Sequence, residues 1–386
     1  MQKGKTPETL KESNRILILN CLRLQGDMSR ADLCRNLEMS FPTISSNVKG
    51  LIDDGYIKEV GVGDNSLGRK STLLAFHADR GYVIGMDLGR FRTRVMLSDL
   101  SGNKIASLWH PTNTEGGSDG IIRVIVDSVL EVVDKGGKER TKVLGICIGT
   151  PGVIKENSIM LAPFLPNIPI LELKEKLNDL FSAEILIENS INLGALGENW
   201  KGAGRSFKNF TFINYGVGVG AAVIINGELY KGSNNAAGEI GFMVVDPAKL
   251  RDRFDEVGVL ENIISRDKIK KYLMREDFQK EVDQLIQRYK ENNVYSKLIL
   301  DEIFLNLGLA MINISAFLDI EAIIISGGLG TSIGKLFAEK WEELLKKHVP
   351  FPPKLLFSEL DNQEGVLGAV AVGIENIHKT PDELLT

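Results

Sequence analysis

Three consecutive polar residues, Glu188, Asn189 and Ser190, follow the apolar run 185–187 and precede a stretch of small residues that ends at Glu198. An apolar run that stops abruptly at polar residues is typical of a buried strand that delivers side chains to the mouth of a cleft. Carboxylate, amide and hydroxyl groups there can hydrogen-bond a bound molecule. A serine hydroxyl is not a workable base near neutral pH, because base catalysis needs a pKa near the operating pH. The residues therefore favour binding over proton abstraction.

The stretch 187–198 resembles the motif E-N-D-x-N-x-x-A-L-G-E of the ROK family, which groups repressors, open reading frames and sugar kinases. In the kinases of that family, the Asp of the motif is the general base that takes a proton from a sugar hydroxyl. Ser190 stands at this position. The resemblance therefore implies a site that can hold a sugar but has no catalytic residue for phosphorylating it. The resemblance covers essentially the whole chain.

Two glycine-rich stretches resemble the phosphate-binding motifs of the family, and both depart from them. D-x-G-G-T-K corresponds to 87–92, where Arg90 and Phe91 replace the second Gly and the Thr. G-T-G-x-G-G-G corresponds to 216–222, where Val217 replaces the Thr and removes a phosphate-facing hydroxyl. One alternative stays open, because the two arginines of the first stretch could bind phosphate themselves.

Further positions beside the sugar follow from the same resemblance. Residues 149–153 match the family's G-x-P-G turn, and 236–242 match its A-G-E-I-G-H motif. Carboxylates are natural partners for vicinal hydroxyls, since each oxygen accepts from one hydroxyl. Phe164 replaces the Asn of an A-P-N-L motif. Its ring could either stack on a sugar ring or fill the interface between the lobes. The residues expected to contact the sugar are Gly149, Asn189, Ser190, Glu239, Phe242 and Glu261.

The zinc site of the family is not expected here. Phe242 replaces the His that would bind the metal, and 252–265 contains none of the three cysteines that the family has. A site of this kind needs four nitrogen or sulfur ligands, so we expect no metal and no other cofactor. Cys21, Cys34 and Cys147 lie in apolar surroundings without C-x-x-C spacing, and we interpret them as buried structural thiols.

The N-terminal residues 1–76 form a separate module. Helical spacing predicts a first helix over 14–24, a second opened by the capping-box pattern of residues 29–32, and a third after residue 40. Two predicted strands, 56–60 and 71–76, enclose a glycine-containing turn. The arrangement is that of a winged helix-turn-helix and resembles the DNA-binding domains of ROK-family and MarR-like repressors.

The third predicted helix has one apolar side and one side with short polar residues and a lysine. Such side chains suit base edges and phosphates, and a basic pair near the wing tip suits the phosphate backbone. The residues expected to contact DNA are Thr43, Ser45, Ser46, Asn47, Lys49, Arg69 and Lys70. A purely structural cap is the alternative. It is disfavoured because the polar side has almost no acidic residue before Asp53.

From His77 onward, strands alternate with helices. Their order resembles the ribonuclease-H-like lobe of the actin and sugar-kinase superfamily. We therefore predict an α/β protein with a winged helix-turn-helix in 1–76, a first lobe in 77–195 and a second lobe in 196–386 that ends in a closing helix. In the predicted helix 294–318, four apolar residues fall on one side: Leu305, Leu309, Ile312 and Ala316.

The composition is that of an ordinary globular protein, with 43% hydrophobic and 25% charged residues among 386. Residues 1–76 carry 11 Lys and Arg against 9 Asp and Glu, and the remainder carries 35 against 42, which fits a nucleic-acid module joined to a small-molecule module. No apolar run approaches the ~20 residues of a membrane helix, and no signal peptide is recognised. We expect a cytoplasmic protein with no membrane partner.

Together these features predict a sugar-responsive transcriptional regulator of carbohydrate-utilisation genes, with repression favoured. The head would bind operator DNA, and a sugar effector would bind between the lobes. Because helix-turn-helix proteins commonly read two-fold operators, we expect a homodimer or a dimer of dimers. One alternative is an ATP-dependent sugar kinase of the glucokinase or N-acetylglucosamine kinase type. Another is a DNA-binding protein modulated by a partner protein, with a vestigial cleft. Xylose, glucose, N-acetylglucosamine and short β-glucosides are all compatible effectors.

Overall fold

The computed structural model describes residues 7–63, 71–112, 114, 116–162, 165–251, 257–265, 269 and 278–377. An N-terminal head is followed by two α/β lobes, as the sequence predicted. The head contains α1 (Pro7–Gln25), β1 (Met28–Ser29), α2 (Arg30–Leu37), α3 (Phe41–Asp53), β2 (Ile57–Gly63) and β3 (Ser71–Phe76). Its three strands pair in the order β1-β3-β2.

Local capping fixes the helices of the head. Ser29 and Asp32 form the expected capping box at the start of α2, and the Ser40 side chain accepts a hydrogen bond from the Thr43 amide at the start of α3. Three apolar residues of α3, namely Ile44, Val48 and Leu51, are buried. The winged helix-turn-helix prediction is confirmed, while the two-residue strand β1 was too short to be recognised from sequence.

The first lobe is built on a five-stranded sheet in the order β10-β7-β4-β5-β6. The strands β4, β5 and β6 form an antiparallel meander, and β7 and β10 run parallel to β4. The elements are β4 (Tyr82–Leu88), β5 (Arg92–Asp99), β6 (Lys104–Pro111), α4 (Gly117–Gly136), β7 (Val143–Thr150), β8 (Val153–Lys155), β9 (Ser158–Met160), α5 (Ile170–Asn178) and β10 (Glu184–Asn189).

The second lobe repeats this strand arrangement in the order β13-β12-β11-β14-β15. Again three strands are antiparallel and two run parallel to the first of them. The elements are α6 (Ser190–Lys201), β11 (Phe210–Tyr215), β12 (Val219–Ile225), β13 (Glu228–Tyr230), α7 (Val259–Ile264), α8 (Phe278–Lys290), α9 (Val294–Leu318), β14 (Ala322–Ser326), α10 (Gly328–His348), β15 (Lys354–Phe357) and α11 (Glu364–Ile377).

Two helices connect the lobes. The boundary expected between residues 195 and 196 falls within α6, and α11, expected in the second lobe, packs against the first. A Cβ added at Gly85 of β4 would lie 2.6 Å from the carbonyl oxygen of Val366, so the backbones of β4 and α11 are in close contact. The helix α11 packs against both β4 and α6, and it therefore belongs to the wall between the lobes.

The head shares a hydrophobic core with this part of the body. The apolar cluster that contains Ile18 and Leu22 of the head also contains Val83 of β4 and Val370 and Ile374 of α11. At the junction, the Arg80 guanidinium lies 3.6 Å from the centre of the Tyr56 ring. The described residues therefore place the head directly on α11 and on the back of the first sheet.

The long helix α9 is apolar on two sides. Its inner side packs into the core of the second lobe through Ile303, Leu307, Met311 and Ile314. The side predicted from spacing is the outer one, and Leu305 on it is 53% exposed. By length and apolar composition alone, α9 could also cross a membrane, which was not expected from the sequence. Core helices of globular proteins can be equally long and apolar, and more than half of the most apolar stretch of α9 is buried.

Of the three cysteines, Cys21 and Cys147 are buried, whereas Cys34 is only half-buried. Burial strongly raises the pKa of the Cys147 thiol. A thiol with a raised pKa has little thiolate and low reactivity, which is consistent with a structural role for Cys147.

Candidate functional site

A cavity of about 260 Å³ lies between the two lobes. The end of β10 and the start of α6 form one wall, the turn between β11 and β12 forms another, and the start of α11 closes a third side. The polar residues that line it include two amides, one hydroxyl and four carboxylates: Asn189, Asn214, Ser190, Asp87, Glu239, Glu261 and Glu364. The cavity thus contains five of the six residues expected at the sugar: Asn189, Ser190, Glu239, Phe242 and Glu261.

Asn189 ends β10 and caps α6 with its side chain. Its Oδ1 accepts hydrogen bonds from the amides of Ile191 and Asn192 at 2.7 and 3.2 Å, and its Nδ2 donates to the Gly152 carbonyl oxygen at 2.8 Å. An amide group carries two N–H donors, and within the described part of the chain one of them is left for a ligand. Asn189 therefore positions the start of α6 and the glycine turn, and retains one donor for the cavity.

Ser190 is the first residue of α6, and its side chain faces the cavity region at the positive end of the helix dipole. Gly149, the sixth expected residue, does not line the cavity. A Cβ at Gly149 would lie 2.8 Å from Leu193 and 3.4 Å from the Ser190 Cα, so this glycine lets α6 pack closely on β7. The adjacent residues Pro151 and Gly152 line the cavity instead.

The second lobe supplies Glu239 and Glu261. A Cβ at Gly238, whose φ is +89°, would lie 2.1 Å from the Ala221 carbonyl oxygen, so the turn before Glu239 requires glycine. Burial raises the pKa of the Glu239 carboxyl. The Glu261 carboxylate occupies the space beside Gly218, where a Cβ would lie 2.2 Å from Oε1. A glycine of the family's second phosphate motif thus makes room for a carboxylate.

The part of the cavity nearest the two phosphate motifs is acidic. Asp87 lies there, and desolvation raises the pKa of its carboxyl to about 6. The nearby Arg94 opposes this shift and the Glu364 carboxylate adds to it. Glu364 was not identified from sequence, because no motif marks it. Arg90 and Val217 also line the cavity, whereas Phe91 does not and is half-exposed.

The residues present do not fit the family's zinc. Phe242 lines the cavity and has no atom that could bind a metal. The part of the cysteine-free segment that is described, 257–265, contains neither Cys nor His, and 252–256 lie outside the described residues. Within the described ranges, no group of three His, Cys, Asp or Glu side chains could hold a metal ion. Phe164 also lies outside the described residues.

The second candidate surface is the polar side of α3. Ser46 and Lys49 are exposed, and Thr43 and Ser45 are half-buried. The expectation that Asn47 lies on this exposed side is wrong. Its side chain is 5% exposed and its Nδ2 donates to the Thr43 carbonyl oxygen at 2.8 Å, because the core of the head closes around it. Arg69 and Lys70 lie outside the described residues.

Residues 83–375 match the model of the ROK family, and residues 12–58 match that of a winged helix-turn-helix DNA-binding domain. A xylose repressor from Caldicellulosiruptor bescii is 28% identical, over 97% of this chain and 98% of the relative. A glucokinase from Thermotoga maritima is also 28% identical, over 76% of this chain and 98% of the relative.

A solved structure shares the fold over nearly the full length. It is described as a ROK family transcriptional regulator, a homolog of the E. coli MLC protein, and it matches with a TM-score of 0.79 and 19% identity over 96% of this chain and 97% of that chain. The family match spans well over half of the 386 residues. The chain therefore belongs to the ROK family and carries a winged helix-turn-helix DNA-binding domain before its two lobes.

Proposed function

We propose that this protein is a sugar-responsive transcriptional repressor, whose head binds operator DNA and whose cleft binds the sugar. The observation that carries the proposal is Ser190 at the start of α6, inside a cavity rich in hydrogen-bonding groups, in a chain with a DNA-binding head. The xylose repressor resembles this chain from the head to the last lobe, whereas the glucokinase covers 76% of it.

The same geometry argues against a sugar kinase. Ser190 replaces the base and cannot accept a proton from a sugar hydroxyl near neutral pH. Val217 offers no hydroxyl to a phosphate, and Glu364 adds a carboxylate, opposed by Arg90, on the side where the family's phosphate motifs lie. Like charges repel strongly in a desolvated cleft, so a triphosphate is disfavoured there.

The lining suits a neutral polyhydroxyl ligand. Glu239 and Glu261 can each accept hydrogen bonds from neighbouring hydroxyls, and Ser190 can both donate and accept. Phe242 offers an apolar face, as the carbon skeleton of a sugar requires. Because xylose appears in the name of a relative that is similar over its whole length, D-xylose is the first candidate.

We further propose that the repressor is a homodimer joined along the outer side of α9. Tyr295 is 77% exposed and Leu298 68% exposed, and the exposed Leu298 and Leu305 and the partly buried Ile312 recur at intervals of seven residues. Contiguous exposed apolar patches commonly mark interfaces, and a seven-residue repeat suits the pairing of two helices. A two-fold axis would bring the same stripe from each protomer together and give two heads for a two-fold operator.

A selection experiment tests the function directly. Purified protein selects duplexes from a random DNA pool, and fluorescence anisotropy then measures affinity for the selected duplex with and without D-xylose, D-glucose, N-acetyl-D-glucosamine or cellobiose. We expect one of these sugars to weaken DNA binding and to raise the melting temperature of the protein. Failure to select any duplex, or ADP formation from ATP and a hexose, would contradict the proposal.

As a repressor it would act in the cytoplasm, where bacterial DNA lies.

A further inference from the structure

Glu364 is a buried carboxylate with an unfilled acceptor. It is the first residue of α11 and is 4% exposed, and its Oε1 accepts a hydrogen bond from the Ser326 hydroxyl of the second lobe. Among the described residues, its Oε2 has no hydrogen-bond partner. Buried carboxylate oxygens are normally partnered, because desolvating an unpaired one is costly. Oε2 is shielded from solvent in this arrangement, but Glu364 lines the cavity, so a rotation of its side chain would bring Oε2 to a donor on a bound molecule.

The surroundings of Glu364 define the chemistry of that molecule. A Cβ at Gly365 would lie 2.9 Å from the Asp87 Cγ, so the carboxylate of Asp87 lies against the start of α11. An ionised phosphate oxygen has no proton to donate to Oε2, and the two carboxylates lack the third acidic, Cys or His ligand that a metal ion would need among the described residues. A hydroxyl group, which is neutral and donates one hydrogen bond, satisfies Oε2.

Behind the cavity, α11 is fixed to α6. A Cβ at Gly368 would lie 1.8 Å from the Leu193 carbonyl oxygen, and a Cβ at Gly197 would lie 2.1 Å from the Glu364 carbonyl oxygen. The two helix backbones are thus in direct contact, with no room for a side chain between them. Because interiors packed at this density do not deform continuously, a displacement of α6 at Ser190 displaces α11 as well.

The other end of α11 contacts the head. Val370 and Ile374 belong to the same apolar cluster as Ile18 and Leu22 of α1. Burial lowers the pKa of Arg23 in α1, and the nearby carboxylate of Glu375 opposes that shift. With 14 residues, α11 is about 20 Å long, and it therefore spans the distance from the cavity to the core of the head.

We propose that Glu364 binds a hydroxyl of the sugar effector and that α11 transmits occupancy of the cleft to the DNA-binding head. This inference rests on the proposed function, since it requires a sugar in the cleft. A ligand shifts a two-state equilibrium only by its differential affinity for the two states. The hydrogen bond from the sugar to Glu364 supplies this difference in affinity. Glu364 also accepts a hydrogen bond from Ser326 of the second lobe, so its position depends on how the two lobes are arranged.

The test compares wild type with Glu364→Gln, and uses Glu342→Gln, an exposed residue of α10, as the matched control. The probe is whichever of D-xylose, D-glucose, N-acetyl-D-glucosamine and cellobiose raises the wild-type melting temperature most. We expect the sugar affinity of Glu364→Gln to fall about 10- to 100-fold, the loss typical of a hydrogen bond to a charged group. Equal sugar affinity of wild type and Glu364→Gln would overturn the role of Glu364.

Hydrogen exchange of the full chain tests the transmission. On adding sugar to wild type, we expect changed protection in 364–377 and in 15–26 of the head, as well as in 187–199 of the cleft. Changes confined to 187–199 would overturn the role of α11 while leaving the proposed function intact. If none of the four sugars binds wild type, the proposed function fails first, and this inference fails with it. Glu364→Ala, which removes both oxygens, repeats the test if the Gln variant melts more than a few degrees below wild type.

Discussion

Lys231 of the second lobe forms an ion pair with Glu188 of the first lobe, beside the mouth of the cleft. Glu188 also accepts hydrogen bonds from the Asn189 amide at 2.9 Å and from the Asn192 Nδ2 at 3.3 Å. Close by, the Asn235 Nδ2 donates to the carbonyl oxygen of Ile154 across the same gap. The strand end that leads to Ser190 is therefore also a place where side chains of the two lobes bond to each other.

Replacing Lys231 by Met keeps the length of the side chain and removes its charge. We expect little change in the free energy of unfolding, because partly exposed ion pairs contribute about 0–1 kcal/mol. Sugar affinity should fall about two- to fivefold, because one contact that joins the lobes at the mouth of the cleft is lost. Calorimetric titration measures this. Lys346→Met, which removes an exposed pair with Glu342 on α10, should leave sugar affinity unchanged, and an equal loss in both variants would contradict the role of Lys231.

Ser190→Asp restores the residue type of the family's base. We expect no measurable sugar phosphorylation, because Arg90 and Val217 still line the phosphate side and Glu364 still adds negative charge there. A coupled assay for ADP, with ATP and each of the four sugars, measures this. Ser190→Asn serves as the uncharged control of similar size. Turnover in the Asp variant and not in the Asn variant would show that one side chain alone had removed the activity.

Asp87 predicts a dependence of stability on pH. Its pKa is raised to about 6 in the folded protein, against about 3.9 in an unfolded chain, so between these values the folded state binds more protons. Stability therefore falls as pH rises from about 4 to 6, and the loss persists above 6. We expect Asp87→Asn to be more stable than wild type by about 3 kcal/mol at pH 7 and equal to it near pH 4. Urea unfolding across this range, with exposed Asp127→Asn as the control, measures the effect.

In the head, exposed and buried polar residues should behave differently. If Lys49 contacts a phosphate as proposed, Lys49→Ala should weaken binding to all duplexes and reduce the salt slope by about one. Asn47→Ala should instead lower the melting temperature, because it removes the bond to the Thr43 carbonyl inside the head. Lys335→Ala on α10 is the control for loss of charge. A salt slope unchanged by Lys49→Ala would contradict DNA contact through α3.

The outer side of α9 predicts the oligomeric state. Leu305→Glu places a charge in the middle of the exposed stripe, and we expect it to convert a dimer into a monomer because an unpaired charge is costly at an apolar interface. Light scattering measures the mass, and operator affinity should fall with it. Leu250→Glu changes another exposed leucine, 71% exposed, and should leave the dimer intact. A monomeric wild type would contradict the interface.

The features that the sequence predicted depend on short-range interactions. The capping box at Ser29 and Asp32, the end of β10 at Asn189 and the bounds of α9 are all set by residues within a few positions of each other. The family motifs likewise identified most of the cavity wall, because motif residues cluster at strand ends. The fold class and the N-terminal head were predictable for the same reason.

The features that it did not predict depend on which distant segments meet. Glu364 carries no motif, and it reaches the cavity because α11 returns to the first lobe. Asn47 was assigned to the exposed side of α3 by its residue type, although the packing of the head encloses it. On α9, apolar residues occur on both sides, so spacing could not distinguish Leu305 on the surface from Leu307 in the core.

The helix α11 completes both the cleft wall and the apolar surface on which the head packs, although it lies about 300 residues from the head along the sequence. A chain interrupted before residue 364 would therefore lack both surfaces at once. The apolar residues of α1 that α11 covers would be exposed to solvent, and an exposed apolar patch promotes aggregation. Loss of this one helix would thus damage both modules together.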